Sequence, residues 1–145
     1  MYKHILIPTD GSALATTAVK QALDFAKAIS AEVTILTVHE PFHLFTLETE
    51  MMSDTLAIYN EHAKRHAKAI LAKVDTLAKA RAVKCTLLDV EADYPYEAII
   101  DTAKKKKCDL IAMASHGHGG VKALILGSET QKVLAHSSIP VLVYR

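Results

Sequence analysis

Five short apolar runs alternate with four longer stretches of helical spacing, and this alternation constrains the fold more than any other property of the chain. The first run, within residues 3–8, contains His4-Ile5-Leu6-Ile7 and is apolar enough for a strand buried on both faces. Pro8-Thr9-Asp10-Gly11-Ser12 ends it as a turn cluster. Ser12 is placed to cap a helix whose apolar positions are Ala15, Ala18, Val19, Ala22, Leu23, Ala26 and Ile29. The β-branched run at 32–39 predicts a second strand, stopped by Pro41. Between 41 and 50, Phe42, Leu44, Phe45 and Leu47 follow no clear period, and a flap is expected there. A long helix is expected over about 52–80, with Leu56, Tyr59, Ala63, Ala67, Ile70, Val74 and Leu77 as its apolar stripe.

The second half repeats the pattern. Residues 83–90 predict a third strand, Tyr96, Ile99, Ile100 and Ala103 mark a short helix, and 108–115 read as a fourth strand. An amphipathic segment at 129–135 leads to a fifth strand at 139–144, where Pro140 removes one ladder donor and so argues for an edge or a strand start. Such alternation predicts an α/β chain: a five-stranded, mainly parallel sheet with helices on both faces. The 145 residues fit one domain, 1–145, since domains cluster at about 100–150 residues. Ligands of such sheets sit at the carboxyl ends of strands where the strand order reverses. If the first and fourth strands flank that point, Pro8, Thr9 and Asp10 come to lie beside the segment after the fourth strand.

That segment is Met113 to Ser128, Met-Ala-Ser-His-Gly-His-Gly-Gly-Val-Lys-Ala-Leu-Ile-Leu-Gly-Ser. Gly117, Gly119 and Gly120 follow the strand, and Gly127 with Ser128 stands where the last helix begins. Glycines let a backbone approach a ligand closely, and a Ser at a helix start sits beside free N–H groups and the positive end of the dipole. The chemistry suggested is phosphate cradling. The same residues can also serve only as a tight connection ending in an N-cap.

Composition removes several other classes. Lys and Arg number 17 against 16 Asp and Glu, a formal net charge of +1, which makes no case for nucleic acid or a membrane surface. Lys104 to Lys107 would end a helix, where a solvated cationic cluster complements the dipole. No window approaches the ~20 apolar residues of a membrane span, and the opening lacks the pattern of a signal peptide, so a cytoplasmic location is expected. Cys85 and Cys108 have no CxxC spacing and read as small buried hydrophobes.

With these residues in hand, the chain resembles the universal stress protein family over essentially its whole length. The resemblance rests on the opening Ile-Leu-Ile-Pro-Thr-Asp-Gly-Ser, Asp109-Leu110-Ile111, Ser115-His116-Gly117, Leu126-Gly127-Ser128 and the closing Pro140-Val141-Leu142-Val143. ATP-binding members of that family carry Gly, two residues, Gly, nine residues, then Gly and Ser or Thr. Gly117, nine intervening residues and Gly127-Ser128 match, whereas the first Gly is Ala114 here. The resemblance implies a Rossmann-like fold related to adenine-nucleotide α-hydrolases, strand order 3-2-1-4-5, and a homodimer formed through the last strand. It implies as ligand ATP, or ADP, AMP or cyclic AMP, with Mg or Mn carried on the phosphates. Carried over by residue, Asp10 would meet the ribose or that metal, and Thr9, Val38 and Met113 would line the adenine pocket. Gly117, Gly127, Ser128 and Glu129 would present N–H groups to the phosphates, with Pro8, Ala114, Ser115, His116 and Thr130 completing the set. The Glu129 carboxylate would repel phosphate unless it points away or shares a cation.

Other chemistry is less well supplied. His116 and His118, two apart, could hold a metal with Asp10, but the sequence names no further ligand. Gly127-Ser128 is not preceded by the Gly-Lys of a P-loop, and neither a Gly-x-Ser-x-Gly elbow nor a Ser-His-Asp order occurs. The leading expectation is therefore a nucleotide-binding stress-response module. A weak ATPase using Asp10 is the enzymatic alternative, and a nucleotide-free, partner-binding dimer is the third.

Overall fold

The computed structural model describes residues 1–42, 49–118 and 126–145, with the backbone alone for 49–53. The flap expected at 41–50 and the glycines Gly119 and Gly120 fall largely or wholly outside these residues. The elements run β1 (His4–Pro8), α1 (Ala13–Ile29), β2 (Glu32–His39), α2 (Thr49–Ala80), β3 (Cys85–Glu91), α3 (Pro95–Lys105), β4 (Leu110–Ala114), α4 (Ser128–His136) and β5 (Val141–Tyr144). The strands form one sheet in the order β3-β2-β1-β4-β5, and every pairing is parallel.

Strand periodicity divides the core into two layers. Ile5, Ile7, Val33, Ile35, Leu110 and Ala112 face one side, where Val19, Leu23 and Ala26 of α1 and Val74 and Ala78 of α2 cover them. Leu6, Leu36, Ile111 and Met113 face the other, against Ile99 and Ala103 of α3 and Val133 of α4. The strands at the centre are apolar on both faces because both faces are roofed by helix. β5 is different: each of its four residues is only half-buried, as befits an edge. Pro140 precedes it, so its missing N–H costs no ladder bond, while its carbonyl accepts from Ile111 N at 2.9 Å.

Local chemistry sets the boundaries. The Ser12 hydroxyl accepts from Ala15 N at 3.2 Å and caps α1. Lys104 to Lys107 lie exposed at the end of α3. Cys108 is buried and Cys85 half-buried, and burial pushes both thiols up to about 11, so neither is a thiolate at neutral pH. Among the described residues no helix is long and apolar enough to cross a membrane.

Candidate functional site

From β1 the chain winds outward through β2 and β3, then crosses back to β4 and β5, so the direction of winding reverses between β1 and β4. At the carboxyl ends of those two strands lies a cleft of about 320 Å³, within the ~300–1,000 Å³ typical of small-molecule sites. It is lined by Pro8, Thr9, Asp10, Val38, Met113, Ala114, His116, Gly117, Gly127, Ser128, Glu129 and Thr130, every residue that the resemblance assigned to the site except Ser115, and by His118.

Ser115 is buried and acts behind the wall. Its N–H donates to Tyr144 O, its carbonyl accepts from Gly127 N at 2.8 Å and from Thr130 Oγ1 at 3.1 Å, and its hydroxyl pairs with His116 Nδ1. It thereby ties β4 to both β5 and α4. Sequence reading missed Ala15, Leu36, Pro95 and Ile99, which also line the cleft. As apolar or helix-start residues they carry no local signal that separates a cleft wall from ordinary core.

Asp10 organises one side. Its carboxylate accepts from Ser12 N at 2.9 Å and from His118 N at 2.8 Å, and His118 Nε2 in turn donates to Asp10 O at 2.9 Å. Burial alone would raise the Asp10 pKa, but the Ser12 and His118 hydrogen bonds outweigh it and hold the carboxyl below its ordinary value. Gly117 makes this clasp possible, since a Cβ there would clash with Asp10 Oδ2. The proposed His116–His118–Asp10 metal set does not assemble: His116 turns to Ser115 and His118 to Asp10, and among the described residues no three such groups are placed to hold an ion.

The far end is built by α4. Gly127 is its N-cap, Ser128 the first helical residue, and the first intrahelical bond of the helix is Gln131 N to Gly127 O. The N–H groups of Ser128, Glu129 and Thr130 therefore have no intrahelical acceptor, and the helix dipole adds positive potential at the same point. Gly127 packs against backbone, for a Cβ there would lie 3.1 Å from Ser115 O and 3.2 Å from His116 Cα. The Thr130 hydroxyl is spent on Ala114 O at 2.9 Å and so locks α4 to the end of β4.

Two features that looked awkward in the sequence have structural answers. Ala114 is an ordinary strand residue, outside the left-handed region, and packs with Ala15, Ala18 and Tyr144. Its methyl group strains nothing in the backbone. The Glu129 carboxylate accepts from Tyr96 N at 2.9 Å, with Lys132 Nζ 3.4 Å from its other oxygen. It caps α3, whose own N-cap residue Tyr94 supplies no side-chain bond. The negative charge is thus engaged by one helix start while the backbone N–H of the same residue belongs to another.

The cleft thus has an apolar side, formed by Leu36, Val38, Ile99 and Met113, and a side of backbone donors. That division suits a ligand with a flat apolar part and an anionic part.

Comparison with known proteins places the fold in a family. The model of the universal stress protein family matches residues 1–145. Universal stress protein MJ0531 of Methanocaldococcus jannaschii is 34% identical over 145 residues, which span 100% of this chain and 83% of that one. Universal stress protein MJ0577 of the same organism is 30% identical over 155 residues, covering 100% and 96% of the two chains. A solved structure of MJ0577 is similar with a TM-score of 0.81 at 31% identity over 99% of this chain and 95% of that one. A universal stress protein solved in complex with cAMP shares the fold, with a TM-score of 0.71 at 24% identity over 99% and 97% of the two chains.

Proposed function

This chain belongs to the universal stress protein family, and we propose that it is a regulatory module that binds an adenine nucleotide in the cleft between β1 and β4. The observation that carries this reading is the meeting, in one cleft, of an apolar wall with the donor-bearing start of α4. The base lies between Leu36, Val38 and Met113. The phosphates lie over the N–H groups of Ser128 and Glu129, and Asp10 accepts from the ribose hydroxyls or holds a divalent ion carried on the phosphates. The cAMP complex of a structural neighbour supports the adenine assignment. Thr9, Ala114 and Gly117 shape the walls, and among the described residues no side chain of the cleft is set up as an activated nucleophile, so the reading is of binding and not of rapid turnover.

The test uses full-length protein stripped of small molecules and titrated calorimetrically with ATP, with and without Mg, then with ADP, AMP and cyclic AMP. One nucleotide bound per chain is expected, and at a hundredfold excess over Kd it should stabilise the native state by about 2.7 kcal/mol. No heat and no thermal shift with any of the four at millimolar concentration would exclude the reading.

The second part of the proposal is a homodimer through β5. The carbonyls of Pro140 and Tyr144 accept from Ile111 N of β4 and from Ser115 N just past its end, so the alternation of a parallel ladder turns the N–H and C=O groups of Val141 and Val143 outward. An apolar strand with free donors and acceptors on one side is a pairing surface. Val143→Pro removes one outward donor and is expected to convert a dimer to a monomer of 15.8 kDa in light scattering. A wild-type protein that is already monomeric would remove this part alone.

A further inference from the structure

One residue of the cleft joins its two sides. The N–H of Glu129 belongs to the donor-bearing start of α4, whereas the carboxylate of the same residue accepts from Tyr96 N, at the start of α3, at 2.9 Å. We propose, resting on the nucleotide reading above, that Glu129 is a positioning residue. Its side chain is a strut that holds the α3 wall of the cleft in place relative to the phosphate donors of α4, so that one ligand can use both.

The start of α3 shows why this bond matters. Pro95, the first helical residue, has no N–H, and the N–H groups of Glu97 and Ala98 both reach back to Tyr94 O, at 3.1 and 3.3 Å. Tyr96 N remains. The N-cap residue Tyr94 offers no side-chain acceptor, so the acceptor comes from 33 residues away, on another helix. A cap supplied from a second helix fixes the two helices to each other as well as satisfying one helix end. Pro95 and Ile99, which flank Tyr96 on α3, are cleft-lining residues.

The rest of α4 repeats the joint. Glu129, Lys132 and His136 recur at the spacing of one helix face, and all three meet Tyr96. Lys132 Nζ stands 5.6 Å from the centre of the Tyr96 ring, and the His136 ring stacks on it at 5.3 Å. Those two contacts lie further along α4. Glu129 acts in the first turn, where the free N–H groups are. On its other side that turn is tied to the end of β4, by Thr130 Oγ1 to Ala114 O at 2.9 Å and Gly127 N to Ser115 O at 2.8 Å. Among the described residues the start of α4 is therefore hydrogen-bonded to the end of β4 through Gly127 and Thr130, and to α3 through Glu129 alone.

Removing the carboxylate leaves Tyr96 N without its partner and frees the start of α3, with Pro95, to move relative to the N–H groups of Ser128 and Glu129. A ligand that spans wall and donors then loses the benefit of a prearranged site. A ligand that touches only the wall does not.

The experiment is calorimetric titration of full-length wild-type protein, Glu129→Ala and Glu129→Gln with AMP and with adenosine, which lacks the phosphate. It is run without added metal, at a temperature where far-ultraviolet circular dichroism shows each protein folded. Glu129→Ala is expected to weaken AMP binding ~10-fold and adenosine binding less than ~3-fold. The Gln carbonyl can accept from Tyr96 N as the carboxylate does, so Glu129→Gln should bring AMP affinity back to within ~3-fold of wild type. Equal losses for AMP and adenosine would overturn the proposal, since they would report a general loosening of the cleft. It would also be overturned by Glu129→Gln binding AMP no better than Glu129→Ala, or by Glu129→Ala binding AMP as wild type does. Wild-type protein that binds neither AMP nor ATP would instead exclude the nucleotide reading itself, and this inference with it.

Discussion

Leu6→Ala is expected to remove about 2–5 kcal/mol from the free energy of unfolding, among the large losses of stability available in this sheet. Leu6 lies in β1, the middle strand, fully buried against the α3–α4 layer beside Leu36 and Ile111. Neither neighbour can collapse into the space without leaving its own place in the ladder, so transfer and cavity costs add. Leu88→Ala deletes the same atoms on the same face, but from half-buried β3 at the sheet edge. The cost there should be less than half as large. Urea titrations of the two variants at unchanged slope give the comparison directly. Equal losses would mean that burial in the central strand does not set the stability of this core.

The contrast between Leu6 and Leu88 also shows how far the sequence could be read. Alternating apolar runs and helical stripes located the nine elements of the described residues, because burial on a strand or helix face leaves a period in the chain. Periodicity does not say which of five apolar strands is central, and the order 3-2-1-4-5 came from likeness to a family. Boundaries moved by a few residues: α2 starts at Thr49, α4 starts at Ser128 with Gly127 as N-cap, and the fourth and fifth strands are each shorter than their apolar runs. The cleft residues found in advance stand at strand ends and in the glycine-bearing segment, where turn chemistry is visible. Leu36 and Ile99 were missed because an apolar side chain looks the same in sequence whether it meets other core atoms or a cleft. Glu129 was a puzzle in sequence for a related reason: its partner, Tyr96 N, is 33 residues away and belongs to another helix.

At the cleft, Gly127→Val is expected to lower adenine-nucleotide affinity by ~100-fold, about 2.7 kcal/mol. The backbone of Gly127, with φ −59° and ψ 152°, is open to any residue, so the effect is not conformational strain at the glycine itself. It arises from contact. A Cβ at 3.1 Å from Ser115 O and 3.2 Å from His116 Cα meets backbone, which cannot swing aside as a side chain can, and valine adds two methyl groups beyond it. The start of α4 must then move away from β4, lengthening the 2.8 Å bond from Gly127 N to Ser115 O and displacing the N–H groups of Ser128 and Glu129. Hydrogen bonds to a charged phosphate depend steeply on distance and alignment, so a shift of this kind removes most of their contribution. Overpacking should also cost ~1–3 kcal/mol of stability, and binding is therefore measured at a temperature where the variant remains folded. Gly127→Ala, which brings the close contact without the extra methyls, should fall between wild type and valine in both respects. Ser128→Ala removes a hydroxyl and leaves the backbone donors where they are, so it should weaken binding far less than valine at 127. If Gly127→Val binds nucleotide as tightly as the wild-type protein, the phosphates do not lie at the start of α4, and the cleft between β1 and β4 must be occupied in some other orientation or not at all.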